Sequence, residues 1–193
     1  MGTSNWQNIS YCCDIIQQLA PRKTLDIGVG SLGRWALLVR EFTEVWNGRV
    51  DRGSWTGTVD GIEAFAGQIN NLHRSLYDTL YIGDAFEVLD NVGRYDLIIM
   101  GDVLEHFEEE KTKPIVQRCL RKSRRLIVST PLGGIDDWHQ TETYGNPWEQ
   151  HRAVFDLGYF LDAPEWSVLQ YKLFKDSLCR EFGTFLLGKG DSI

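Results

Sequence analysis

A chain of 193 residues is sized for one domain with one core, since domains run to about 100 to 200 residues and a chain this long buries roughly 70% of its unfolded surface. Lys and Arg number 20 against 27 Asp and Glu, a net charge of −7, so the surface as a whole repels polyanions and no nucleic-acid partner is expected. No apolar run approaches the ~18 residues of a membrane span, no basic-then-apolar leader opens the chain, and Cys12, Cys13, Cys119 and Cys179 lack CxxC or framework spacing, so a cytoplasmic chain with reduced, buried thiols and no membrane partner is expected.

Trp6, Ile9, Cys13, Ile16 and Ala20 recur at helical spacing, with Asn5 or Ser4 as cap and Pro21 as stop, which predicts an amphipathic helix within residues 1–21. "KTLDIG" then reads as a short buried strand. After glycines 28, 30 and 33 the apolar positions Trp35, Leu38, Val39, Phe42 and Trp46 return to helical spacing, giving strand, glycine turn, helix. Residues 47–57, rich in Gly and Arg, read as a loop inserted before the strand "TVDGIEAF". A helical stretch over 67–74 leads to a third strand in "DTLYIGDA", ending at Asp84, and "FEVLDNV" predicts a short helix. The continuously apolar "LIIM" in "RYDLIIMGD" suits a fourth strand covered on both faces. A helix follows, with Pro114 expected near its first turn, and the basic run at 118–125 reads as its solvated C-terminal end rather than a polyanion site. "RRLIVST" is the fifth strand. "EWSVLQYKLF" and "EFGTFLLGK" are separated by too few residues for a crossover helix and are expected to pair as an antiparallel hairpin. The alternation predicts a doubly wound, mostly parallel α/β sheet in a single domain over residues 1–193.

In such sheets ligands bind beyond the carboxyl ends of the strands, where the strand order reverses. Those ends carry Asp26 with Gly28, Gly30 and Gly33; Glu63; Asp84 with Ala85; Asp102 with Glu105 and His106; and Ser129, Thr130 and Pro131. A glycine turn allows close approach of a ligand to backbone but fits any adenosine ligand. Glu63 suits a ribose diol, which NAD and S-adenosylmethionine share. Asp26, two residues before Gly28, attracts a cation and sits poorly beside a pyrophosphate, and Asp84 is placed to accept from an adenine amino group. A ligand with sulfonium and ammonium groups prefers acidic strand ends, so the charges favour S-adenosylmethionine.

"LDIGVGSLG", "GIEAF", "GDAFEVL", "YDLIIMGDVLEHF" and "LIVSTPLG", in that order over residues 24–133, resemble the motifs of class I S-adenosylmethionine-dependent methyltransferases. The resemblance implies a seven-stranded sheet with an antiparallel C-terminal hairpin, S-adenosylmethionine as cofactor and S-adenosylhomocysteine as product. It also implies residue roles: Asp26 and the Gly28, Val29, Gly30 loop for the methionine moiety, Glu63 with Ala64 for the ribose hydroxyls, Asp84 and Ala85 for the adenine, and Asp102 and Val103 as the floor near the methyl group. The sequence departs from the family at Leu32, where a third glycine is common, and Leu32 is expected to wall the site.

Residues 131–150 form the longest stretch without clear secondary structure, and residues 131–152 are expected to act as an acceptor loop or lid. They hold two of the four histidines, His139 and His151, with Trp138, Tyr144, Trp148, Glu149 and Arg152, a density that suits a small polar acceptor methylated at a hydroxyl oxygen. His151 and His139 are the candidate general bases, whereas His106 is expected to pack or hydrogen-bond at a helix start. No grouping has metal-ligand spacing, so no metal is expected. Two other readings remain: an NAD-dependent Rossmann oxidoreductase, and a non-catalytic cofactor-binding scaffold.

Overall fold

Alternate residues of a strand face opposite sides of its sheet, so a strand apolar throughout needs a cover on both faces. The strand Tyr95–Gly101 (β4) shows this directly: Leu97 and Ile99 enter one apolar layer, and Ile98 and Met100 the other. In the computed structural model, which describes residues 5–133, 145–176 and 178–190, β4 lies at the centre of a seven-stranded sheet. The others are Lys23–Ile27 (β1), Thr58–Glu63 (β2), Thr79–Ile82 (β3), Ser123–Pro131 (β5), Trp166–Lys175 (β6) and Glu181–Lys189 (β7). Their order is β3-β2-β1-β4-β5-β7-β6; β1 to β5 run parallel, and β7 is antiparallel to both β5 and β6. Strand order therefore reverses between β1 and β4.

Helices Ile9–Leu19 (α1), Arg34–Thr43 (α2) and Asn71–Leu76 (α3) cover one face, with Ile15, Ile16, Trp35, Val39 and Leu76 packed on Leu97, Ile99 and Ile127. Helices Ala85–Val88 (α4), Glu109–Lys122 (α5) and Leu157–Leu161 (α6) lie on the other, where Ile115, Val116 and Phe160 pack with Leu25, Ile27, Ile98 and Met100. Among the described residues, no helix is long and apolar enough to cross a membrane.

Several local expectations shift. The first helix starts at Ile9, and Trp6 is exposed rather than part of its buried face. Asn8 precedes it and is fully buried because its amide donates to the Ser129 hydroxyl at 2.8 Å and the Thr184 hydroxyl at 3.2 Å, fastening the helix to β5 and β7. Ala20 ends the helix in the left-handed region, and Pro21 follows. Pro114 sits in the sixth position of α5, a turn deeper than expected, because the helix already begins at Glu109. Helix α6, capped by Asp156, arises where no element was anticipated. Cys12, Cys13 and Cys119 are buried, but Cys179 is exposed in the β6–β7 turn. In the basic run, Arg118 pairs with Asp90, and Lys122 donates to the carbonyls of Asp90 and Val92, so these cations serve the helix-to-strand junction.

The Gly- and Arg-rich loop at 47–57 is organised by two buried charges, Arg40 of α2 and Glu44 just past its end. Glu44 accepts from Arg49 and from the backbone of Thr56 and Gly57. Arg40, buried, donates to the carbonyls of Leu76 (3.1 Å) and Gly57 (2.9 Å) and to Asp78 (2.7 Å), with the Trp55 ring 4.3 Å away. Removing one partner of a buried ion pair leaves the rest desolvated and unpaired. Arg40→Ala is expected to cost about 3 kcal/mol in urea unfolding, the lower end of that range because Asp78 is partly exposed. A loss under about 1 kcal/mol, the size of a surface pair, would contradict the role given to Arg40.

Candidate active site at the strand ends

The chain leaves β1 through Gly28 and Gly30, with φ of 74° and 62°. A Cβ on Gly28 would stand 2.4 Å from a methyl of Val103, while one on Gly30 would meet nothing within 4 Å. The first glycine thus allows the β1 and β4 exits to close together, and the second leaves an open surface. Their amides face inward: Gly28 N–H donates to the Ile62 carbonyl at 2.9 Å, Gly30 N–H to Glu63 Oε2 at 3.3 Å, and Gly33 N–H to the Val29 carbonyl at 3.2 Å.

Beyond these exits lies a cavity of about 570 Å³. It brings together Gly28 and Gly30, Glu63 and Ala64, Asp84 and Ala85, and Asp102 and Val103, from four successive parallel strands. Glu63 accepts from Phe65 N–H at 2.9 Å as well as from Gly30, and burial pushes its carboxyl above the usual range against those two hydrogen bonds. Asp84 caps α4 by accepting from Phe86 N–H at 2.8 Å while lining the cavity. Asp102 adopts a left-handed backbone (φ 55°) and accepts from the Ser129 hydroxyl at 3.2 Å and the Asn5 N–H at 2.8 Å. Asn5, Trp6 and Gln7 add to the wall, a contribution of the N-terminal segment that helical periodicity does not signal.

Three expected positions lie elsewhere. Asp26 is fully buried and takes a 2.5 Å hydrogen bond from the Tyr77 hydroxyl; it is not on the cavity wall. Its side chain leaves β1 on the side opposite Leu25 and Ile27, toward α2 and α3. Burial pushes its carboxyl up to about 7, opposed by the Tyr77 hydrogen bond and assisted by the negative charge of Glu63. Val29 packs behind the loop near Gly61, and Leu32 is exposed instead of walling the site.

Residues 145–153 cross the opposite side of the cavity. Glu149 accepts from Gln68 at 3.3 Å; Arg152 and Ala153 N–H donate to the Glu105 carbonyl at 2.8 and 3.1 Å; Arg152 pairs with Glu108 at 3.0 Å. The Gln150 carbonyl lies 3.1 Å from His106 Nδ1. These contacts set the His151 ring edge-on to His106, centroids 5.0 Å apart, and both rings line the cavity. Ligand atoms of Glu105, His106 and His151 lie within 4.8 Å of one another. Glu105 is buried and accepts from the Thr130 hydroxyl at 3.0 Å; burial pushes its carboxyl well up, and the charges of Asp102 and Glu149 add to this. Burial lowers His106. His139, with Trp138 and Tyr144, lies outside the described residues. Among the described residues the wall has seven carboxylate side chains and three cationic ones, Lys111, Arg152 and Arg180, so the cavity favours a cationic ligand.

No protein-family model and no curated protein matches the sequence. Solved structures match the fold. A 1,6-didemethyltoxoflavin-N1-methyltransferase from Burkholderia thailandensis, with 1,6-didemethyltoxoflavin and S-adenosylhomocysteine bound, is 13% identical with a TM-score of 0.66, covering 96% of this chain and 79% of its own. An O-methyltransferase from Bacillus cereus in complex with S-adenosylhomocysteine is 15% identical with a TM-score of 0.60, covering 97% and 83%. The N-terminal domain of EvdMO1, in the presence of S-adenosylhomocysteine and D-fucose, is 14% identical with a TM-score of 0.62, covering 97% and 85%. At these identities the likeness is one of fold: the chain has the fold of class I S-adenosylmethionine-dependent methyltransferases.

The Asp26–Tyr77 pair has a measurable signature. Unfolded, Asp26 ionises near 3.8, whereas folded it holds its proton to about 7, so the folded state binds more protons between these values. Stability is then highest below the lower value and falls as pH rises through the window, by about 4 kcal/mol in all at 1.36 kcal/mol per unit. Asp26→Asn keeps an acceptor for Tyr77 and cannot ionise; it is expected to flatten the fall between pH 4 and 7 and to be the more stable protein at pH 8. Equal pH slopes for both proteins in denaturant titrations would contradict the buried, proton-holding role of Asp26.

Proposed function

We propose that this chain is a methyltransferase that moves a methyl group from S-adenosylmethionine to a hydroxyl oxygen of a small-molecule acceptor. The observation that carries the reading is the inward turn of the Gly28, Gly30 and Gly33 amides above a carboxylate-rich wall. A pyrophosphate is held by N–H groups pointing at it. Here those donors are spent on protein acceptors and the wall is anionic, so an NAD-dependent oxidoreductase fits poorly. A sulfonium ligand with an ammonium group, a ribose diol and an adenine fits the same wall well.

In this reading Glu63 receives the ribose hydroxyls beside Ala64. Asp84 and Ala85 hold the adenine edge, and the open face of Gly30 with Gly28, Asp102 and Val103 holds the methionine portion. When bound, the cofactor supplies an electrophilic methyl carbon on a sulfur that leaves as a neutral thioether. The chain's task is alignment of acceptor, carbon and sulfur, worth roughly 7 to 11 kcal/mol of barrier when well oriented. Residues 145–153 close the acceptor side, and a hydroxyl acceptor arriving there must lose its proton near Glu105, His106 and His151. This reactive grouping speaks for an enzyme over a scaffold. The Bacillus cereus neighbour, an O-methyltransferase, supports oxygen as the methylated atom, while the Burkholderia thailandensis neighbour is an N1-methyltransferase.

Calorimetry with purified protein is expected to show S-adenosylhomocysteine binding one to one and no competition from NADH. Binding of NADH alone would reverse the reading. Glu63→Ala is expected to weaken S-adenosylhomocysteine binding by at least about tenfold, since each charge-assisted hydrogen bond lost is worth about 1.5 to 3 kcal/mol. A folded variant that binds as tightly as wild type would remove Glu63 from the ribose site.

A further inference from the structure

We propose that Glu105, His106 and His151 hold one divalent first-row transition-metal ion in the wall of the cavity. Two imidazoles and a carboxylate, brought from the exit of β4 and from the 145–153 strap, converge with ligand atoms within 4.8 Å of one another. Donors bound to one ion at about 2.1 Å stand roughly 3 to 4 Å apart, so closing on a metal takes side-chain movements of about 1 Å.

The supports of these side chains are those a metal site needs. A ligating histidine normally donates its other ring N–H to a carbonyl or carboxylate, which fixes its tautomer and its direction. His106 Nδ1 lies 3.1 Å from the Gln150 carbonyl, an acceptor only, so Nδ1 carries the proton and Nε2 the lone pair. Glu105 is oriented by the Thr130 hydroxyl at 3.0 Å. The strap is fastened next to His151 by the bonds from Arg152 and Ala153 N–H to the Glu105 carbonyl, so the backbone around one ligand holds the approach of another.

The electrostatics point the same way. Glu105 is buried, Asp102, Glu108 and Glu149 line the same wall, and carboxylates gathered on one wall require compensation. Arg152, the cation facing His106, is paired with Glu108 at 3.0 Å. A dication between the three ligands supplies that compensation.

Two nitrogens and one oxygen select Mn²⁺, Fe²⁺, Co²⁺ or Zn²⁺ over the all-oxygen preference of Mg²⁺ and Ca²⁺. Three protein ligands leave positions for an oxygen from the cavity, and a hydroxyl so bound is more acidic. In this arrangement His151 is a ligand rather than a general base. The site stands on its own geometry, independent of the identity of the methyl donor.

The test is titration of chelator-stripped full-length protein with Co²⁺ alone, followed by its visible d–d absorption, with Zn²⁺ as competitor. One equivalent is expected to bind and to be displaced by Zn²⁺. His106→Ala and His151→Ala are each expected to weaken Co²⁺ binding at least tenfold, with an unchanged circular dichroism spectrum showing that they fold. Because either variant could fail to fold, X-ray absorption of Zn²⁺-loaded wild type gives a second readout, with two imidazole ligands expected. No binding at one equivalent, folded variants that bind as tightly as wild type, or fewer than two imidazoles on the metal would each overturn the assignment.

Discussion

What the cavity can hold is decided by where the amides after β1 point. Gly28 and Gly30 donate to Ile62 and Glu63, on the neighbouring strand β2, so the glycine turn is knitted into the sheet instead of being open as an anion cradle. The same bonds place the Glu63 carboxylate at the rim, and Val103 fills the space a Cβ on Gly28 would take. From that one turn follow the closeness of the β1 and β4 exits and the placing of Glu63 on the anionic wall where the proposed cationic adenosine ligand would lie.

The parallel strands of a doubly wound sheet were legible in the sequence because each strand is a short apolar run between helical periods, and the hairpin because six residues cannot form a crossover; the reversal between β1 and β4 emerges only from the strand order. Glu63, Asp84 and Asp102 could be placed for a similar reason: a residue at the end of a strand or just past it reaches the cavity. Asp26 sits within β1, where the period of two decides its face, and it turns toward Tyr77. Its acidity reads in sequence as a ligand contact and in the structure as support beneath the glycine turn.

Other features depend on contacts between residues distant in sequence, which spacing rules do not see. Asn8 is buried by Ser129 and Thr184, so the N-terminal segment reaches Asp102 and the cavity wall, and Trp6 turns outward. His106 and His151 meet only because Glu105 and Gln150 bind across the gap between β4 and the strap. Histidines so far apart in the chain carry no metal-ligand spacing, yet the fold sets their rings together beside a buried carboxylate. The acidic wall divides accordingly: Glu63, Asp84 and Asp102 lie where a cationic cofactor would, and Glu105 lies with the histidines where the acceptor would enter.

The most direct measurement of the central claim is a crystal structure of the chain grown with S-adenosylhomocysteine. The result expected is the ribose hydroxyls on Glu63, the adenine beside Asp84 and Ala85, and the amino acid portion along Gly28, Gly30 and Asp102. The ligand outside this cavity, or its ribose away from Glu63, would contradict the account.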